Sequence, residues 1–317
     1  MYNKTDLKNK LESIHRKSYP AYKSLRGSYT FGDFVLSIDH VQGDPFAAPS
    51  SLHVELPLAK AGFPEKYFEG RHTKTALEDL ILRKFSRALD QYSFKAKGSG
   101  KSGLISTSRP GPEVMRRTAV EFTEKLLIVR FEVGFPANGR TINAQELEKI
   151  LLDFLPQIVK KCLYYQAWDK RLVQEGFELA ENQQKIREVL EERKLVAFCA
   201  NGSILPRKSG VSSQPLKDAV AFESPKSMEL AIDLPFGGSI FGMGIPEGVT
   251  LIIGGGYHGK STLLQALEQG VYNHVKGDGR EYVITRVNAL KLRAEDGRAV
   301  SNLDLSLFIH DLPNGKD

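Results

Sequence analysis

A glycine at position 254, four intervening residues and then Gly259-Lys260-Ser261 form a pattern suited to holding phosphate. The stretch reads Gly254, Gly255, Gly256, Tyr257, His258, Gly259, Lys260, Ser261, with Thr262 next. Glycines carry no Cβ, so successive backbone N–H groups can turn inward around phosphate oxygens. A helix starting at such a loop adds the partial positive charge of its N-terminus. Lys260 is spaced to bridge the β- and γ-phosphates of a nucleoside triphosphate. The Ser261 hydroxyl suits Mg2+, and Thr262 suits the α-phosphate. Within the loop the backbone does the binding, so His258 reads as a loop residue facing nucleotide or a partner. These residues predict a site for ATP with Mg2+; no catalytic residue is assigned.

Two other stretches carry chemistry-bearing residues. Gly98-Ser99-Gly100-Lys101-Ser102-Gly103 contains Gly-Lys-Ser, but Lys95 stands where the first glycine of the pattern belongs. No apolar run leads into it, so it reads as a flexible basic loop. Lys95, Lys97 and Lys101 there are candidates for contacting nucleic-acid phosphates. Asp39, His40 and Asp44 could form a metal or acid–base cluster, but Gly43 and Pro45 favour a structural turn.

The elements that must position the loop follow from periodicity. Val249–Ile253 reads as a buried strand entering the loop, and Leu263, Leu264 and Leu267 as the start of a helix leaving it. Upstream, helices are expected near Thr5–Lys17, after a Thr75/Glu78 capping box, and after an Asn143/Glu146 box with Pro156 as kink or break. A long helical segment is expected at Trp168–Arg193, broken near Gly176, forming a hairpin with the segment before it. Tyr29–Val41, Leu52–Leu56, Leu126–Val133, Leu195–Cys199 and Met228–Leu234 read as strands.

The 317 residues suffice for two domains, and 41 % hydrophobic with 26 % charged residues is the balance of a globular chain. No apolar run reaches membrane-spanning length, and the first residues lack a signal-peptide pattern, so a cytoplasmic location is expected. Cys162 and Cys199 read as small buried hydrophobes rather than a disulfide. The net charge of +6 is uneven: Met1–Arg140 holds about 23 Lys and Arg against about 15 Asp and Glu, and the remainder is near neutral. A basic N-terminal part points to a polyanionic partner such as nucleic acid, with a merely basic surface as the alternative.

Several blocks resemble the predicted ATPases of the ABC class. They are Ile38–Ala47, Gly134–Arg140, Ile204–Arg207, Gly242–Pro246, Gly254–Leu264, Gly277–Glu281 and Arg293–Arg298, in order along nearly the whole chain. The resemblance implies an α/β protein: a family-specific α+β N-terminal domain at 1–165, then an ABC-type P-loop domain at 166–317. It also implies ATP with Mg2+, and a composite ATP site between two copies, hence a homodimer. An adenine-stacking aromatic is expected upstream, with Phe236 and Phe241 as candidates. Glu295-Asp296-Gly297-Arg298 reads either as a region sensing the γ-phosphate or as an acidic turn. ABC-type turnover also needs an LSGG-like signature and an apolar strand ending in Asp-Glu. The 55 residues after Thr262 carry neither, so the chain is expected to be an incomplete P-loop domain, a fragment or half of a split gene. Three readings follow: an ABC-class ATPase acting on RNA or a ribonucleoprotein, a nucleotide-binding interaction module that does not hydrolyse, and a small-molecule kinase. The absence of a visible acceptor-side lid speaks against the kinase.

Overall fold

The computed structural model describes residues 2–292 together with 297, 299, 301, 302 and 304. Its N-terminal part is an antiparallel sheet carrying helices. Strands β1 (Tyr2–Asn3), β2 (Gly27–Phe31), β3 (Phe34–His40), β4 (Ser50–Pro57), β5 (Ile105–Ser106), β6 (Glu113–Val114), β7 (Val120–Phe122), β8 (Leu126–Val133), β9 (Ala137–Asn138) and β10 (Thr141–Ile142) lie here. The main sheet runs β1-β2-β3-β4-β8-β5, with β7 also paired to β8. Only the β1–β2 pair in it is parallel. The helices are α1 (Lys4–Ile14), α2 (Leu58–Ala61), α3 (Arg71–Tyr92), α4 (Ala144–Glu148) and α5 (Leu155–Cys162).

Local chemistry explains most boundaries. Asn3 and Asp6 form a reciprocal capping box for α1, whose Leu7, Leu11 and Ile14 face the core. The expected single strand 29–41 is instead the β2–β3 hairpin. Gly32, at φ 76°, supplies the left-handed turn residue between the paired Phe31 and Phe34. Thr75 and Glu78 do not cap α3, which starts at Arg71. The Thr75 hydroxyl donates to the Arg71 carbonyl, and buried Glu78 accepts from the Phe122 N–H in β7. Glu146 likewise accepts from the Lys97 N–H, and Asn143 makes no side-chain cap. In both cases a distant backbone N–H took the acceptor that the local pattern assigned to a cap. Pro156 neither breaks nor ends its helix. A π-helical turn, Lys149–Phe154, leads into α5, and Lys4 Nζ donates at 3.3 Å to the Leu152 carbonyl, which Pro156 has no N–H to serve.

Helix α6 (Lys170–Glu192) is capped by Asp169 and runs unbroken through Gly176, beside Leu80 of α3. It packs on α3 and then on a second sheet, rather than forming a hairpin with α5. That sheet contains β11 (Leu195–Ala200), β12 (Glu229–Leu234), β13 (Gly238–Pro246) and, after helix α7 (Lys260–Gln269) and strand β14 (Asn273–His274), β15 (Val283–Thr285). Its order is β12-β13-β11-β15, all antiparallel. One face packs Phe198, Ala200, Ile232 and Ile284 against Ile186, Val189 and Leu190 of α6. The other packs Ala197, Cys199, Met243, Ile245 and Val283 against Ala266 of α7. Strand β14 pairs with β6 through Asn273–Val114 and His274–Glu113, tying the two parts together. Both cysteines are free and buried, and burial pushes the Cys162 thiol up to about 11 and the Cys199 thiol to about 12.

Val249–Ile253 corrects the expected buried strand. The run is irregular, with Leu251 78 % exposed and Ile253 77 % exposed. No strand among the described residues pairs with it, and without a ladder partner an apolar run has neither hydrogen bonds nor a covered face.

Candidate functional site

The phosphate-binding pattern lies at the N-terminus of α7, the helix packed on the second sheet. Gly254, at φ 151°, and Gly259, at φ 81°, adopt conformations that L side chains rarely take. Gly259 is the N-cap of α7, and no side chain caps the helix. The first N–H groups of α7 have no intrahelical acceptors, as at any helix start. Tyr257, at φ 60° and fully exposed, turns the tip of the loop. Lys260, first residue of α7, reaches back along the loop and donates to the Gly255 carbonyl. The His258 ring lies over Gly255, where an added Cβ would come within 3.1 Å of its Cε1 atom. Ser261 is exposed beside Lys260, with Thr262 half-buried.

The far end of α7 is fixed by buried polar contacts. The Thr285 hydroxyl donates at 2.7 Å to the Leu267 carbonyl, and Gly270 packs so closely on Val283 and Thr285 that a Cβ would clash. Arg187 of α6 donates to the Thr285 carbonyl at 2.9 Å, the Val271 carbonyl at 3.2 Å and Asn273 Oδ1 at 2.7 Å. Burial lowers its pKa to about 10. His274 lies 3.3 Å from the carbonyl of Gln269, the last residue of α7, and its Nδ1 lies 2.6 Å from Asp278. Arg207 grips the same carboxylate through both terminal nitrogens, at 3.1 and 3.0 Å. Burial alone would raise the Asp278 pKa. The His274 hydrogen bond and the charges of His274 and Arg207 outweigh burial and lower it.

The sequence of both parts matches families of known proteins. Residues 4–166 match the family described as ATPase of the ABC class N-terminal, and residues 169–317 match the ABC ATPase P-loop domain. The chain belongs to the ABC-class ATPases. An uncharacterised protein of Methanocaldococcus jannaschii is 36 % identical over 142 residues, covering 42 % of this chain and 32 % of the relative. The chain thus matches about a third of that relative's length.

Most blocks that carried the resemblance are structural locks in this ABC-class ATPase. Ile204–Arg207 and Gly277–Glu281 form the Arg207–Asp278 pair, and buried Arg280 donates to the Leu205 carbonyl. Gly242 and Gly244 in β13 leave space for Phe198 and Leu230. Ile38–Ala47 and Gly134–Arg140 interlock. Gln42 Oε1 accepts from the Ser50 and Phe135 N–H groups, and Asp44 pairs with Arg140 at 3.0 Å. Asp39 pairs with His53 at 2.6 Å, across the strands. No group of three or more His, Cys, Asp or Glu suited to a metal occurs among the described residues.

The loop 98–103, expected to be flexible, is packed into the same lock, a further correction. Buried Ser102 accepts from the Ala137 N–H at 3.0 Å, and the Lys101 N–H donates to Pro45 at 2.8 Å. A Cβ at Gly98, Gly100 or Gly103 would strike neighbouring atoms. The loop is glycine-rich for close approach rather than freedom. Of the three lysines, Lys95 lies over the Tyr92 ring and Lys97 donates to Phe94, both exposed, while Lys101 is half-buried. Phe236 packs on Phe177 of α6, and Phe241, half-exposed, lies on the same face of β13 as Met243 and Ile245, the α7 side. Arg293–Asp296, Arg298 and residues 305–317 lie outside the described residues. Sequence reasoning missed Arg187, Arg207 and Asp278. Arg207 and Asp278 fall inside two of the blocks that carried the resemblance, but nothing in one dimension paired them or gave Arg187 its partners. No helix among the described residues is long and apolar enough to cross a membrane.

Proposed function

We propose that this ABC-class chain binds ATP with Mg2+ at Gly254, Gly255, Gly256, Tyr257, His258, Gly259, Lys260, Ser261 and Thr262. The observation that carries this is the left-handed Gly259 cap, which opens α7 without a side chain occupying its N-terminus and sets Lys260 in its first turn. The loop N–H groups and the helix N-terminus would cradle the phosphates, Lys260 would exchange its Gly255 contact for phosphate oxygens, and Ser261 would face the metal. Bound Mg2+ neutralises charge on the β- and γ-phosphates. Lys260→Ala removes a charge-assisted contact and should weaken binding by about 1.5–3 kcal/mol. Calorimetry on both proteins checks this, and equal ATP affinity would refute it.

The division of labour we propose is nucleotide handling by 166–317 and partner engagement by the basic 1–165 domain, with RNA or a ribonucleoprotein as partner and ATP held between two copies. The charge excess and the exposure of Lys95 and Lys97 support the partner assignment.

A further inference from the structure

A cavity of about 510 Å³ opens between α3, α5 and α6 and the segment following β14, away from the phosphate loop. Its volume is that of a site for a small organic ligand. Two kinds of side chain line it. The aliphatic ones are Leu80 on α3, Val114, and Leu172 and Leu179 on α6. The charged ones include Lys84 and Arg87, one turn apart on α3, and Lys161 from α5.

The charges in the cavity do not cancel. Its two carboxylates already have partners: Asp79 holds Arg83 at 2.5 Å and Arg117 at 2.6 Å, and Glu175 holds Lys276 at 3.2 Å. Lys84, Arg87 and Lys161 have no carboxylate partner among the described residues. Lys161 donates only to the neutral Gln91 amide, at 3.3 Å. Arg87 is exposed and makes no hydrogen bond or ion pair among the described residues. Lys84 is held in place by the Ala167 carbonyl at 2.9 Å and by the Trp168 ring, 3.9 Å from its Nζ. An ammonium group has three N–H donors, so one remains for a ligand. Burial first, and the like charge of Lys161 as well, lower the Lys84 pKa. An anion placed among the three would relieve that repulsion.

We propose that this cavity binds an organic phosphate, with its phosphomonoester among Lys84, Arg87 and Lys161 and its apolar body against Leu80, Leu172 and Leu179. Three cations lining one cavity without carboxylate partners match the charge of about −2 on a phosphomonoester better than that of a single carboxylate. The aliphatic side chains select against inorganic phosphate. The same chemistry fits an alkyl phosphate or a mononucleotide, and the two are separated by experiment.

Trp168 is the only tryptophan in the chain and lines the cavity, so its emission reports occupancy. The full chain carrying Lys260→Ala, which disables the phosphate loop, is titrated at constant ionic strength with octyl phosphate, octanol, AMP and inorganic phosphate. Octyl phosphate stays below its micelle concentration. Saturable change with octyl phosphate or AMP, at least tenfold tighter than with inorganic phosphate or octanol, is expected, and the tighter of the two names the source. Arg87→Gln with Lys161→Gln should weaken that binding tenfold or more, and Leu172→Glu should do the same through the aliphatic side chains. Arg87 and Leu172 are exposed, so these variants keep the fold. No saturable change with either organic phosphate, inorganic phosphate binding as tightly, or variants binding like the parent would each overturn the proposal.

Discussion

Replacing Asp278 with alanine should loosen the C-terminal end of the phosphate-loop helix without touching the loop. The Asp278 side chain is 2 % exposed and that of its partner Arg207 8 %. Removing the carboxylate takes two contacts from the guanidinium, leaving its 2.8 Å bond to the Asp278 carbonyl, and takes the 2.6 Å partner from His274. An exposed ion pair would be worth at most about 1 kcal/mol. A buried charge left without its partner costs about 3–5 kcal/mol, and burial on both sides places this pair in the second class. At a urea slope of about 2 kcal/mol per molar, the unfolding midpoint of the second domain should fall by roughly 2 M. Far-UV circular dichroism through a urea titration gives the midpoint. Amide exchange identifies the segment, and α7 should exchange faster because His274 holds the Gln269 carbonyl. Arg207→Met combined with Asp278→Leu should recover part of the loss, since the Arg207 charge is then no longer left unpaired, while buried Arg280 keeps its Leu205 carbonyl. A cost under about 1 kcal/mol for Asp278→Ala, or no recovery in the double variant, would show that the pair does not hold this end of the helix.

Other outcomes follow from the same structure. Because the folded-state pKa of Asp278 is lowered, its stabilisation is fully present above the unfolded carboxylate value and is lost as pH falls through the folded value. The stability gap between the parent and Asp278→Asn should therefore be widest near neutrality and close in strong acid, as thermal melts across pH would show. Single-stranded RNA should bind the chain at low salt and dissociate as salt rises. Lys95→Glu with Lys97→Glu should reduce the slope of log K against log salt by about 1.4 if both lysines contact phosphates. Binding indifferent to salt would remove the nucleic-acid assignment. Phosphate release by the purified 317-residue chain should be negligible, because neither the signature nor the Asp-Glu pair is in its sequence. Turnover near one per second would show that the catalytic carboxylate had been misread.

The sequence alone located what depends on neighbours along the chain. The 254–262 spacing placed a glycine loop directly before a helix, and the largely apolar run Leu126–Val133 read as a strand with the observed limits. Both follow from steric rules acting over a few residues. Features that depend on what lies across space were decided only by the tertiary structure. Glu78 and Glu146 matched capping patterns, yet each bonds an N–H more than forty residues away, a partner that only the packing of the chain brings near. Gly98, Gly100 and Gly103 spelled flexibility in one dimension and close packing against Ser102, Pro45 and Ala96 in three. Val249–Ile253 has the composition of a buried strand, but a strand exists only where a neighbour completes its hydrogen bonds, and composition carries no information about that neighbour. Arg207 and Asp278 lie 71 positions apart. Lys84, Arg87 and Lys161 come from two helices, and neither their place in one cavity nor the aliphatic side chains that line it with them could be read before the helices were packed.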